Sequence, residues 1–314
     1  MKWFIIKILL FAVPVLVALT ALELYARDNY FAKKKAYLDA NKQQAEVLVL
    51  GSSHMHYGIN PLEMQPTTVN MSLLASAPEV DYRVFEKFAP ELPSLRYVLL
   101  DFSAAYIDKG TQEKWDGNVY LKTHWGVSKR QPELWDNFLS IAQFRKSLVQ
   151  AADDLRGKHI PNYNPAGFET QIDPKINIVQ RFGYSQDSLA GYKRYIHRMN
   201  RDHNQTHLEN RAINRVYFER IKNYCIQHNI KLILVSVPKM RLYNDFMGKE
   251  VLDARNQLAA DLVDNQHVIF WNDDRLFDDN TEYFFDLNHL DVNGAAEYSH
   301  IISQRLEALE SKAE

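Results

Sequence analysis

The sequence predicts an α/β fold built on a five-stranded parallel sheet, from three observations. Short apolar runs bounded by turn residues occur at 47–50, 97–100, 231–237 and 268–271, with a weaker fifth at 68–71. Runs of this length and character are what strands covered on both faces require. Stretches with helical spacing, at 80–88, 210–227, 250–263 and 292–309, lie between and after them. That alternation implies parallel strands joined by helical crossovers. The first run leads directly into Gly51-Ser52-Ser53, a turn at the strand end where open α/β sheets place their ligands.

Ahead of the sheet, residues 3–22 are almost continuously apolar, interrupted by Lys7, Pro14 and Thr20. A helix needs roughly 20 such residues to span a bilayer. A cleavable signal peptide would use Lys2 and Lys7 as its basic start and a small-residue site near Ala21, but no clean A-x-A pattern follows. The expectation is therefore a retained transmembrane anchor over 1–26, a polar helical connector over 27–45 and one catalytic-type domain over 46–314. Arg27 and the triplet Lys33-Lys34-Lys35 follow the apolar run, so counting positive charge does not favour a cytoplasmic N-terminus.

The alternation breaks between about 103 and 207, where no buried strand is evident and Trp115, Trp125 and Trp135 stand among polar residues. This reads as a helical or irregular, aromatic-rich insertion between the third and fourth strands. Its aromatics fill either a satellite core or a sugar-stacking surface.

Composition narrows the function. Across 314 residues the net charge is -2, with no basic stripe for nucleic acid. The one cysteine, Cys225, has no CxxC or Cys/His neighbours, so neither a disulfide framework nor a zinc site forms on it. His54 and His56 flank Met55 without a third ligand nearby, and no metal or cofactor is expected.

Two motifs carry chemistry. Leu50-Gly51-Ser52-Ser53-His54 ends the first strand, with Met55 where an α/β-hydrolase elbow needs its second glycine and no Gly-Lys-Ser/Thr for a phosphate loop. Phe285-Asp286-Leu287-Asn288-His289 precedes the last helix, which Asp291 or Asn293 would cap. Serine is a poor nucleophile at neutral pH. It needs an imidazole to take its proton and a carboxylate to orient that imidazole. His289 and Asp286 are the candidates, and Asp273 with Asp274 reads as a solvated turn.

Together these motifs resemble the SGNH, or GDSL-type, hydrolase superfamily from about Ala45 onward, apart from the insertion. The resemblance implies a three-layer, flavodoxin-like sandwich. The family's nucleophile is the third residue of Gly-Asp-Ser, which matches Gly51-Ser52-Ser53 and selects Ser53. Its closing Asp-x-x-His block matches Asp286-Leu287-Asn288-His289. Two further blocks complete an oxyanion hole there. The glycine block falls on 69–75 and puts Ala75 at the glycine, so the backbone N–H groups of Ser53 and Ala75 are the expected donors. The asparagine block falls on 99–105 and puts Ala105 where asparagine belongs. Asn70, Ser103 and His54 are the candidate auxiliaries, with His54 expected to hydrogen-bond near the site and Pro238 to shape a bordering loop.

The Ser-Ser-His variant is similar to membrane-anchored members of bacterial envelope biosynthesis, such as alginate O-acetyltransferases and the D-alanyl transfer protein of teichoic acid loading. This implies a single-pass inner- or plasma-membrane protein with an extracytoplasmic (periplasmic) domain. It also implies an acyl donor, an acylated carbohydrate and a multi-span membrane acyltransferase as partners. The contrasting expectation is a noncatalytic envelope-assembly or polysaccharide-binding protein on the same scaffold.

Overall fold

Five strands, β1 (Val47–Leu50), β2 (Thr68–Asn70), β3 (Tyr97–Asp101), β4 (Lys231–Ser236) and β5 (Val268–Asn272), form one sheet. All neighbouring pairs are parallel and their order is β2-β1-β3-β4-β5. The computed structural model describes residues 2–110, 118–128, 148–149, 151–152, 156, 162–173, 176–177, 179 and 207–311.

Alternate strand residues face opposite layers because side chains flip with period two. Leu48, Leu50, Val98, Leu100, Leu232 and Leu234 pack with Val84, Phe85 and Phe88 of the helix Pro78–Phe88 and with Phe218 and Ile221 of the helix Leu208–Gln227. On the other face Val47, Val49, Leu99, Ile233 and Val235 meet Tyr298, Ile302 and Leu306 of the C-terminal helix Val292–Glu310. Each large side chain so buried contributes about 1.5–3 kcal/mol. The apolar strand runs are continuous, not alternating, because both faces are covered.

Helix bounds follow local chemistry. The helix expected over 80–88 begins at Pro78, whose fixed φ suits a first turn, and carries Glu79 and Asp81 at its positive end. The C-terminal helix is capped by Asp291, whose side chain accepts from the Gly294 N–H at 2.8 Å.

Helix α1 (Lys2–Arg27) is long and apolar enough to cross a membrane. Its Trp3, Leu10 and Phe11 side chains are largely exposed. At about 1.5 Å per residue it measures roughly 39 Å. Helix α2 (Tyr30–Asn41) starts at the Asn29 cap, and its Phe31 and Leu38 are buried in the sheet's core. The segment expected as a polar connector is thus part of the packed body.

Of the insertion's tryptophans, Trp115 and Trp135 lie outside the described residues. Trp125 is buried against Phe31 and Phe88, and its Nε1–H donates to the Phe31 carbonyl at 2.8 Å. It is a core residue, not a stacking surface. Cys225 is also buried, and burial pushes its thiol up to about 12.

Candidate active site

The connections from β1 leave toward β2 on one side and return across to β3 on the other, so a crevice opens beyond the carboxyl ends of β1 and β3. Gly51 sits there with φ +137°, and a side-chain carbon at that position would collide with Asp101 at the end of β3. Only glycine fits. The next two serines then diverge. Ser52 is buried as the cap of the short helix Ser53–Gly58, and its hydroxyl donates to Asp101 Oδ2. Ser53 is partly exposed, with Oγ 2.8 Å from His289 Nε2.

His289 comes from a loop closed on itself. The Phe285 N–H donates to the His289 carbonyl at 3.2 Å, and the Asp291 N–H donates to the Tyr283 carbonyl at 2.8 Å. Asp286 Oδ1 accepts the backbone N–H groups of Asn288 at 2.9 Å and His289 at 2.8 Å, while His289 Nδ1–H donates to Oδ2 at 2.8 Å. Burial works against the Asp286 charge, but His289 and these donors outweigh it and hold the carboxyl below its ordinary range. The His289 ring is stacked on Phe285 (5.4 Å, 7°), edged by Tyr57 (5.5 Å, 72°) and stacked on His54 (5.1 Å, 29°). Ser53, His289 and Asp286 therefore form one hydrogen-bonded line with the tautomer that lets His289 Nε2 accept the serine proton.

In the loop after β2, whose Leu73 N–H donates to the Gly51 carbonyl at 2.9 Å, Ala75 is exposed with φ +58°, the left-handed conformation that glycine adopts without penalty. Among the described residues its amide has no hydrogen-bond acceptor. Two expected auxiliaries are engaged elsewhere. Asn70 turns inward: Nδ2 donates to the carbonyls of Met55 (3.0 Å) and Ile59 (2.8 Å), and Oδ1 accepts the Ser72 N–H at 3.0 Å. Ser103 is fully buried, with Oγ 3.2 Å from His54 Nδ1. Neither side chain is free to meet an oxyanion, because each is already engaged with buried partners.

His54, the third auxiliary, is buried, and its Nε2 accepts from Asn288 Nδ2 at 2.8 Å. Burial pushes its pKa down to about 4 against the opposing pull of Asp101, so the ring is neutral. Asp101 stays ionised. Burial disfavours its charge, but contacts from His54, Ser52 and the Ser103 N–H hold its pKa well below the usual carboxylate range. His56 points away, toward Lys34 of α2 at 3.1 Å. Lys34 also donates to the Ser72 carbonyl at 2.7 Å, tying α2 to the loop that carries Ala75. Among the described residues no three His, Cys, Asp or Glu side chains converge as a metal would need.

Asp273 and Asp274 are not a solvated turn. Asp273 is buried and accepts from Tyr298 and Arg305, both at 2.8 Å or less. Asp274 pairs with the buried cations Lys239 (2.7 Å) and Arg255. This cluster lines a cavity of about 400 Å³ beyond β4 and β5, which does not include Ser53 or His289. Pro238 precedes Lys239 and Met240, and the Met240 N–H donates to the Leu287 carbonyl at 3.1 Å, so that loop does border the triad.

Sequence reasoning missed Asp101, Asn288, Tyr57 and Glu169. Asn288 lies inside the recognised block, and Asp101 ends a recognised strand, but nothing in their spacing marks a partner. Glu169 is buried in the insertion, and burial pushes its carboxyl up to about 7 against a hydrogen bond from Tyr57.

No family model matches the chain, and no curated protein matches it. A solved structure titled "The structure of a putative platelet activating factor from Streptococcus pneumonia" aligns with a TM-score of 0.38 and 12% identity, covering 94% of this chain and 99% of that one.

Proposed function

We propose that the protein is a serine esterase or acyltransferase of the SGNH type, acting on a cell-envelope carbohydrate. One observation carries the reading: Ser53 Oγ, His289 and Asp286 stand in line with both hydrogen bonds at 2.8 Å. In the reaction Ser53 Oγ attacks the carbonyl carbon of an ester or thioester while His289 Nε2 takes its proton. Asp286 holds the ring and stabilises the imidazolium. The tetrahedral oxyanion is held by the Ser53 and Ala75 N–H groups. Collapse expels the alcohol or thiol, which takes the proton from His289 and leaves an acyl-serine. Water or a carbohydrate hydroxyl then attacks that ester by the same steps, giving hydrolysis or transfer.

Among the described residues the side chains expected as donors do not complete the hole, since Ala105 stands where the family has asparagine and both Asn70 and Ser103 are engaged elsewhere. One absent donor costs about 2.7–4 kcal/mol of transition-state stabilisation, which fits a slow, dedicated enzyme. Helix α1 supports single-pass anchoring in the inner or plasma membrane, and the family resemblance supports an extracytoplasmic domain working beside a multi-span acyltransferase. The same missing donor favours a second reading, a noncatalytic envelope-assembly protein. A fluorophosphonate probe separates the two. Labelling that Ser53→Ala removes and Ser52→Ala retains is expected for the enzyme, whereas folded wild type that never labels sinks it.

A further inference from the structure

We infer that His54 and Asn288 act as a positioning pair that sets the His289 ring against Ser53. The inference rests on the serine-nucleophile reading above. Asn288 stands between Asp286 and His289, is 2% exposed, and donates from Nδ2 to His54 Nε2 at 2.8 Å. That bond places the His54 proton on Nδ1, which faces Ser103 Oγ at 3.2 Å and Asp101 Oδ2 at 3.6 Å. Asp101 is itself fixed at the end of β3 by the N–H groups of Ser52 (3.3 Å) and Ser103 (2.9 Å). A polar path therefore runs from the sheet through His54 to the loop bearing the base.

Three features assign this path to alignment. His54 directly follows Ser53, so one short segment carries both the nucleophile and the tie to its base. The bonds from Asp286 to the Asn288 and His289 backbone shape the loop internally but do not place it against Ser53. Backbone bonds from Val179 and Met240 anchor Phe285 and Leu287, whereas the His54–Asn288 bond is a side-chain link between the nucleophile's turn and the Asp-x-x-His block. Finally, Asn288 Oδ1 is buried without a partner among the described residues. An orphaned carbonyl is a cost that an apolar residue of similar shape would avoid, so Asn288 is poorly explained by stability alone. Misplacing a reacting group by about 1 Å can cost about 100-fold in rate, which is the scale of what such a tie protects.

The test uses the full-length chain in detergent micelles, labelled with [13Cε1]histidine, as wild type, His54→Ala, Asn288→Ala, the double variant and His54→Gln. The glutamine oxygen reaches the place of His54 Nε2 and can accept the same N–H. Expected are tenfold or greater losses in fluorophosphonate labelling rate for each alanine variant, and a double variant within twofold of the worse single one. His54→Gln should recover to within threefold of wild type. The His289 Cε1–H resonance should shift in both alanine variants and return in His54→Gln. Alanine variants that label within twofold of wild type with that resonance unmoved overturn the proposal, as does a glutamine variant no better than alanine. If wild type never labels, the serine-nucleophile reading falls, while the His289 resonance still decides the positioning pair.

Discussion

At the carboxyl end of β1, Ser53 meets a histidine held by an aspartate, two aromatic rings and a second histidine. Beside Gly51, the loop after β2 presents Ala75 in a left-handed conformation that alanine tolerates poorly. The first side is over-determined and the second is strained. Proton transfer needs side chains at set positions, whereas an oxyanion donor needs only a backbone N–H, so the second side can drift in sequence and keep part of its chemistry.

The largest expected effect lies on the first side. Ser53→Ala should abolish probe labelling, and Asp286→Asn should lower its rate by about 10⁴-fold, because the amide leaves His289 in the wrong tautomer. A rate within tenfold of wild type for Asp286→Asn, measured by stopped labelling and mass spectrometry, would break the comparison.

On the second side, Asn70→Ala should act on stability. It strips partners from the Met55 and Ile59 carbonyls and from Ser72. Unfolding by urea should show a loss of about 2–4 kcal/mol. If stability holds and labelling collapses instead, Asn70 belongs to the reacting side after all.

A third test uses pH. Native His54 takes a proton near pH 4, whereas an unperturbed histidine does so near 6.5. Between these values the unfolded chain binds more protons, so stability rises with pH, by up to about 3 kcal/mol over the window. His54→Gln should flatten that rise. Glu169, pushed up to about 7, works in the opposite sense, its contribution being lost as pH climbs from 4.5, but it is common to both proteins and cancels in their difference. Parallel pH-stability curves would show that His54 is not held neutral.

The smallest effect should come from Ala75→Gly, which relieves the positive φ and should stabilise by about 0.5–1 kcal/mol. A melting temperature that falls would mean that Ala75 does not occupy the left-handed region.

Much of this was legible beforehand. The five strands follow from apolar runs whose character depends on being covered from both faces. Asp286 and His289 are three residues apart, and that local spacing suffices to close their hydrogen bond. Ser52 and Ser53 are chemically identical, however, and only the family pattern preferred the second. In the structure the choice has a physical cause: Gly51 packs on Asp101, which captures Ser52 and leaves Ser53 facing out. The solvated-turn reading of Asp273 and Asp274 failed because their cations, Lys239, Arg255 and Arg305, come from other elements.

The sequence by itself thus determined the α/β class, the apolar N-terminal helix and the pairing of Asp286 with His289, since each depends on periodicity or short-range spacing. The tertiary structure alone decided which serine faces His289, that Asn70 and Ser103 are turned onto buried partners, and that His54 reaches Asn288. The first and the last join residues more than two hundred positions apart at the carboxyl end of β1, and no local pattern encodes that meeting.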